Sequence, residues 1–142
     1  MLEKYILIMT IEDVYIKNNV QLIDDRGEFF KFLDGNESFL SNTFGEIYLV
    51  TVLPKKIRAE HYHNIANEWF AVLKGELIIT LEDVTSKVKI SYTLNSINKS
   101  ILFIPSGIAH KIYNPSLETE STLIAYSNIK YDSNDTIPYI IK

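Results

Sequence analysis

The chain contains no cysteine. That single absence removes disulfides, thiolate metal sites and cysteine nucleophiles together. It fits a reducing compartment, and a cytoplasmic location is the expectation. Long apolar runs are also missing: nothing approaches the roughly 20 residues of a membrane-spanning helix. The run Tyr5–Met9 is too short for a signal sequence and has acidic residues on both sides, so it reads as a first β-strand. Positive charge is not in excess, with 14 Lys and Arg against 18 Asp and Glu and a net charge of −4. An acidic chain of this kind is not built as a general nucleic-acid binder. Neither a nucleic acid nor a membrane is therefore expected as a partner. Histidine is scarce as well, with three in the whole chain.

What is present describes a β protein. With 142 residues, 46% of them hydrophobic, one domain over 1–142 can bury a core and two cannot. The hydrophobic period is mostly two, carried by β-branched and aromatic residues. Strands are expected at Tyr5–Met9, Val20–Ile23, Glu28–Leu33, Gly45–Leu53, Ile57–His63, Trp69–Leu73, Glu76–Glu82, Val88–Leu94, Ser100–Ile104, His110–Asn114 and Leu123–Ser127. Turn-forming residues separate them, as in Asp25–Gly27, Lys74–Gly75 and Pro105–Gly107. Many short strands at near-regular spacing mean an all-β sandwich or barrel. Trp69–Leu81 reads as a tight hairpin turning at Gly75. A short helix has room only near Ser38–Asn42 or at the C-terminal end.

The chemistry concentrates in two segments. The first, His61-Tyr-His63-Asn-Ile-Ala-Asn-Glu68, is followed by Gly75 after six intervening residues. The second is Pro105-Ser-Gly107-Ile-Ala-His110-Lys-Ile-Tyr-Asn114. On a strand, residues i and i+2 share a face, so His61 and His63 project together and Tyr62 points away. Glu68 and His110 each open a further strand and can aim at the same point. Three imidazoles and a carboxylate suit Zn²⁺, Fe²⁺, Mn²⁺, Ni²⁺ or Cu²⁺ and leave positions open for water or substrate. The competing reading is of histidines that serve as ordinary polar core residues. The whole histidine content falling inside one pattern favours the site. A divalent metal, zinc foremost and iron, manganese or nickel as alternatives, is the expected cofactor on His61, His63, Glu68 and His110. No organic cofactor is expected.

These two segments resemble the paired motifs of the cupin superfamily, over about residues 57–114. The resemblance implies a small jelly-roll β-barrel. Asp25-Arg-Gly-Glu-Phe29 upstream, Arg58-Ala-Glu-His61, and Thr122–Tyr139 downstream look like the sugar-nucleotide cupins. That group includes the dTDP-4-dehydrorhamnose 3,5-epimerases, the 3,4-ketoisomerases and the C-terminal cupin domain of capsular polysaccharide reductases. The run Arg58 to Phe70 most resembles the last, which is a zinc-carrying C3 epimerase domain.

The resemblance implies an isomerase acting on a nucleotide-linked 4-keto-6-deoxyhexose at C3, or at C3 and C5. The ketone acidifies the adjacent hydrogen, and a base removes it to give an enolate. A cation stabilises the oxyanion, supplied by a metal, by Arg58 or by a lysine such as Lys111. Reprotonation on the other face inverts the centre. His61 matches the family's catalytic base and Tyr126, more loosely, its tyrosine acid. Arg58 and Lys111 are the candidate substrate-binding residues. Alternatives stay open at several positions. His61 can be ligand or base, and Tyr126 can be acid or barrel core. Lys55, Lys56 and Arg58 can bind pyrophosphate or form a solvated turn. Residues 131–139 can be a lid or pack on a second subunit. Small cupins resemble one another in forming two-fold dimers, so a homodimer is expected. A 3,4-ketoisomerase, an iron oxygenase and a non-enzymatic ligand-binding cupin are the competing functions.

Overall fold

The computed structural model describes residues 8–18 and 21–142. Its strands are β1 (Tyr15–Lys17), β2 (Gln21–Asp24), β3 (Gly27–Phe30), β4 (Glu46–Val52), β5 (Ile57–Tyr62), β6 (Glu68–Lys74), β7 (Glu76–Asp83), β8 (Lys89–Asn95), β9 (Ile101–Ile104), β10 (Ile108–Tyr113), β11 (Ser121–Ser127) and β12 (Ile137–Pro138). Sheet one has the order β1-β9-β6-β11-β4 and sheet two the order β12-β5-β10-β7-β8. All pairings are antiparallel, and β2–β3 forms a separate hairpin. From β4 onward the chain crosses between the two sheets at most connections, which makes the fold a jelly roll. Among the described residues no helix is long and apolar enough to cross a membrane.

The sequence explains this packing. Sheets bury alternate residues, but the middle of sheet one is covered on both faces, so β6 reads as a continuous apolar run. Phe70 and Val72 of β6 point into the core between the sheets, which they share with Leu77, Ile79 and Leu81 of β7. Trp69 and Ala71 point the other way, into a second core with Ile101, Phe103 and Tyr126. Phe30, Phe32, Leu33 and Leu40 pack over that outer face. The Trp69 indole N–H donates to the Tyr15 hydroxyl at 3.0 Å, so its one polar atom is satisfied where the ring is buried.

Several expectations are corrected. Trp69–Leu81 is not a hairpin: β6 lies in sheet one and β7 in sheet two. The edges of β6 are already taken by β9 and β11, so the chain turns a corner at Gly75 instead of folding back. Gly75 has φ +75°, and a Cβ there would sit 2.3 Å from Ser121 Oγ. That hydroxyl staples the corner, accepting from the Glu76 N–H and donating to the Glu76 carbonyl. Within Tyr5–Met9, residues 5–7 lie outside the described set, and Ile8 and Met9 are not in a strand. Val20 is likewise outside it. The Ser38–Asn42 segment forms turns, not a helix, because Phe39 and Leu40 dock on the outer face of sheet one. The C-terminal helix is a single 3-10 turn, Ser133–Asp135. Strands β1 and β12 are additions to the expected set; they are too short to show a period.

Candidate functional site

The site lies at one end of the space between the sheets. β5 delivers His61, and His63 follows directly after the strand's end at Tyr62. β6 opens on Glu68, and His110 is the third residue of β10 rather than its first. A bulge sets the first pair. His110 pairs with His61 and Lys111 with Ala59, leaving Glu60 as an extra residue. Ala59 and Glu60 both take left-handed backbone, at φ 70° and 62°. Gly107, at φ +80°, donates its N–H to the His63 carbonyl at 2.6 Å and so ties the two motifs together.

The three imidazoles converge, with ring centroids 4.7, 5.0 and 5.6 Å apart and ligating nitrogens within 4.8 Å of one another. Glu68 Oε2 lies 3.2 Å from His110 Nε2 and 3.4 Å from His63 Nε2. Glu68 Oε1 accepts from the Tyr48 hydroxyl at 2.5 Å. His63 Nδ1 is 2.7 Å from the Asp135 carbonyl, and His110 Nδ1 is 3.3 Å from the Ile108 carbonyl. A carbonyl only accepts, so both Nδ1 atoms carry the proton and both Nε2 lone pairs face the centre. Metal-binding histidines are oriented in this way, by a carbonyl or carboxylate behind the ring. His63 Nε2 and Glu68 Oε2 are buried with no hydrogen-bond partner. Leaving such atoms unpaired is costly, and a cation between them would satisfy both. The donor set therefore fits a divalent metal, with the three histidines as its core and Glu68 as the carboxylate beside them.

The electrostatics agree. Burial pushes the Glu68 carboxyl up, but His63, His110 and the Tyr48 hydroxyl outweigh it and hold the group at about 2. Burial, with help from the other two histidines, lowers His61 to about 4. Burial also lowers His110. For His63 burial is outweighed by Glu68, and its value is raised. Burial and the Glu68 carboxylate raise Tyr48, which stays a protonated phenol.

A cavity of about 290 Å³ opens above this floor. It is lined by Glu46, Tyr48, His61, His63, Glu68 and Ser127, and by the C-terminal segment from Ile129 to Thr136. That segment is fastened by Asp135, whose buried carboxylate accepts from the N–H groups of Asn64, Ile65 and Ala66 at 2.8–3.0 Å. These residues link β5 to β6. Farther along, the Tyr139 hydroxyl donates to Glu82 and accepts from Lys87.

The structure brings His61, His63, Glu68 and His110 together and leaves three other expected residues elsewhere. Tyr126 pairs with Trp69 and Ile47 and packs in the outer core of sheet one, while its neighbour Ser127 faces the pocket. Strand alternation makes that separation unavoidable. Among the described residues its hydroxyl accepts only from the Gly45 N–H, at 3.4 Å. Arg58 is exposed, donates to the Thr51 carbonyl at 3.2 Å and does not line the pocket. Lys111 points to the opposite face of β10 from His110, with Nζ 3.4 Å from the Ile141 carbonyl. Lys55 and Lys56 lie in the turn beside Asn114, at the far end of β5. Asn114 itself is structural, donating to the carbonyls of Val52 and Thr119. Residues that sequence reasoning missed are Tyr48 and Asp135. Both act across the fold, and only the inward phase of Tyr48 on β4 could have signalled one of them.

A cupin barrel with a buried metal-type centre at its open end is the class that the fold and site define. Residues 22–138 match the family model described as the polysaccharide biosynthesis C-terminal domain, and the chain belongs to that family. Among curated proteins it is 28% identical over 127 residues to the spore coat polysaccharide biosynthesis protein SpsL of Bacillus subtilis (strain 168), covering 86% of this chain and 83% of that one. Among solved structures it resembles a double mutant of ChmJ, a 3'-monoepimerase from Streptomyces bikiniensis, in complex with dTDP (TM-score 0.79, 15% identity, 90% of this chain and 69% of that chain). It also resembles a 3,4-ketoisomerase from Helicobacter canadensis (TM-score 0.75, 23% identity, 88% and 90%). The fold is thus shared with an epimerase and with a ketoisomerase.

Proposed function

We propose that the protein is an epimerase that inverts C3, or C3 and C5, of a nucleotide-linked 4-keto-6-deoxyhexose in polysaccharide biosynthesis. The observation that carries the reading is the pair of orphaned atoms, His63 Nε2 and Glu68 Oε2, at the floor of a small pocket. About 290 Å³ is at the small end of ligand pockets and suits a sugar ring with its nucleotide outside. The family, the relative in spore coat polysaccharide biosynthesis, and the fold shared with an epimerase support the substrate class.

A divalent ion held by His61, His63, His110 and Glu68, zinc first, would supply positive charge for the oxygen of a C4 enolate. The chain's own groups set up the rest. The Asp135 and Ile108 carbonyls hold two of the imidazoles in one orientation. Tyr48 stays protonated with its one hydroxyl hydrogen committed to Glu68, so it fixes that carboxylate and is not the acid or the base. The C-terminal segment walls the ring off from water. Lys130 on the lining offers a charge to the pyrophosphate. His61 is then a ligand, since an imidazole whose lone pair is engaged is a poor base.

A second reading, the 3,4-ketoisomerase, is favoured by the position of Tyr126 outside the pocket. With that phenol gone, a single base moving one proton between neighbouring carbons becomes easier to support. A homodimer is proposed as well. Leu22, Ile23 and Phe29 on the β2–β3 hairpin and Ile47 and Leu49 on the edge strand β4 are exposed apolar surface that a second copy would cover.

The test is incubation of metal-loaded protein with dTDP- and UDP-linked 4-keto-6-deoxyhexoses in D₂O, followed by NMR. Deuterium at C3 with an unmoved ketone is the expected result. A 3-keto product would establish the ketoisomerase instead. No exchange with any nucleotide would overturn the reading.

A further inference from the structure

We infer that Glu46 is the base that removes the sugar proton. This rests on the proposed isomerase reading, because it assigns a group to that reaction. Strand register carries the assignment. On sheet one, Ser127 pairs with Glu46 on β4 and with Glu68 on β6. The three therefore form one row across adjacent strands, on one face, and all line the pocket. Neighbouring strands are about 4.8 Å apart, so the backbones of Glu46 and Glu68 stand roughly 10 Å apart, leaving room for a sugar ring between their carboxylates.

The other carboxylates on the lining are engaged. Glu68 is held by Tyr48 and faces His63 and His110. Asp135 is occupied by three backbone N–H groups. Asp132 accepts from the Asn134 N–H. Among the described residues Glu46 has no side-chain hydrogen bond and no ion pair, although it lines the cavity beside Tyr48. The fold gives it no structural duty.

The proton balance is simple. The C3–H bond breaks and its proton passes to a Glu46 carboxylate oxygen. The electron pair forms the C3=C4 bond and the negative charge moves to the C4 oxygen. A proton delivered to the other face of C3, from the Tyr131 phenol at the mouth or from water, restores the ketone with C3 inverted. Glu46 then gives its proton to solvent, and the donor, left as the Tyr131 phenolate or as hydroxide, takes one back, so no net proton is gained or lost.

The experiment compares full-length, zinc-loaded wild type with Glu46→Gln and Glu46→Asp, using the nucleotide-linked 4-keto-6-deoxyhexose that the wild type exchanges best. For Glu46→Gln we expect kcat for C3 exchange to fall about 100-fold or more, the scale of losing a general base. KM and zinc content should stay within about 3-fold of wild type, and Glu46→Asp should recover part of the loss. Exchange by Glu46→Gln at near wild-type kcat would overturn the assignment. So would a raised KM at unchanged kcat, which would make Glu46 a binding group. If the wild type itself exchanges nothing, the isomerase reading fails and this assignment falls with it.

Discussion

The two faces of sheet one are built from alternate residues of the same strands and have opposite characters. Toward the pocket, β4, β11 and β6 present Glu46, Ser127 and Glu68. Away from it, the same strands present Ile47, Tyr126 and Trp69, and the outer core seals β11 and β6 with Phe103 and Phe30. One residue of sequence separates a polar pocket wall from a dry aromatic layer. A tyrosine beside the site in sequence is therefore not beside it in space. The outer face supplies rigidity, and the inner face can then hold unpaired polar atoms for a ligand.

That contrast can be broken at either face. The largest effect is expected on the inner side. His110→Ala removes one of the three converging imidazoles, a ligand of the proposed metal. It should lower metal affinity by far more than the roughly 10–100-fold typical of losing a group behind a ligand, and abolish turnover, as read by metal analysis after dialysis. On the outer side, Trp69→Ala should cost about 3–5 kcal/mol in denaturant unfolding, because it empties a fully buried indole site. The folded fraction should still bind metal.

Asp135→Ala should affect both quantities. It strips three N–H groups of their acceptor and loosens the His63 loop, costing about 2–3 kcal/mol in denaturant unfolding and about 10-fold in metal affinity. Tyr126→Phe sharpens the comparison. It should cost about 1 kcal/mol or less and leave kcat within about 2-fold, whereas a catalytic acid would lose about 100-fold.

The pH dependence has a definite sign. His61 is lowered to about 4 in the folded, metal-free chain, so between about pH 6.5 and 4 the unfolded chain binds more protons. Stability contributed by neutral His61 is present above about pH 6.5 and lost as pH falls through that window. Glu68, lowered to about 2, extends the loss from about pH 4.5 to 2. Denaturant titrations of metal-free protein should show a shallower upper slope for His61→Gln than for wild type, with His110, which burial also lowers, keeping part of it. The smallest effect is expected at Ala59, whose φ of 70° suits glycine, and Ala59→Gly should stabilise by about 0.5–1 kcal/mol in the same titration.

The legible part of the molecule is the part governed by local period. His61 and His63 share a face because they are two apart, and the bounds of β4 to β11 lie close to those expected from the strand-forming runs. The corner at Gly75 is not legible, because a hairpin and a sheet crossing use the same residue types, and only the occupied edges of β6 decide between them. Tyr126 fails for a related reason: its phase on β11 depends on which face of sheet one holds the pocket. Asp135 reaches residues about 70 positions away, a contact set by the path of the C-terminal segment. Glu46 becomes visible only once register places it in a row with Glu68.

The most direct test of the account is calorimetric zinc titration of metal-stripped protein. It predicts one ion per chain for the wild type and none for His110→Ala. Wild-type protein that keeps its native fold yet takes up no zinc or other first-row divalent ion would contradict the metal centre on which the account stands.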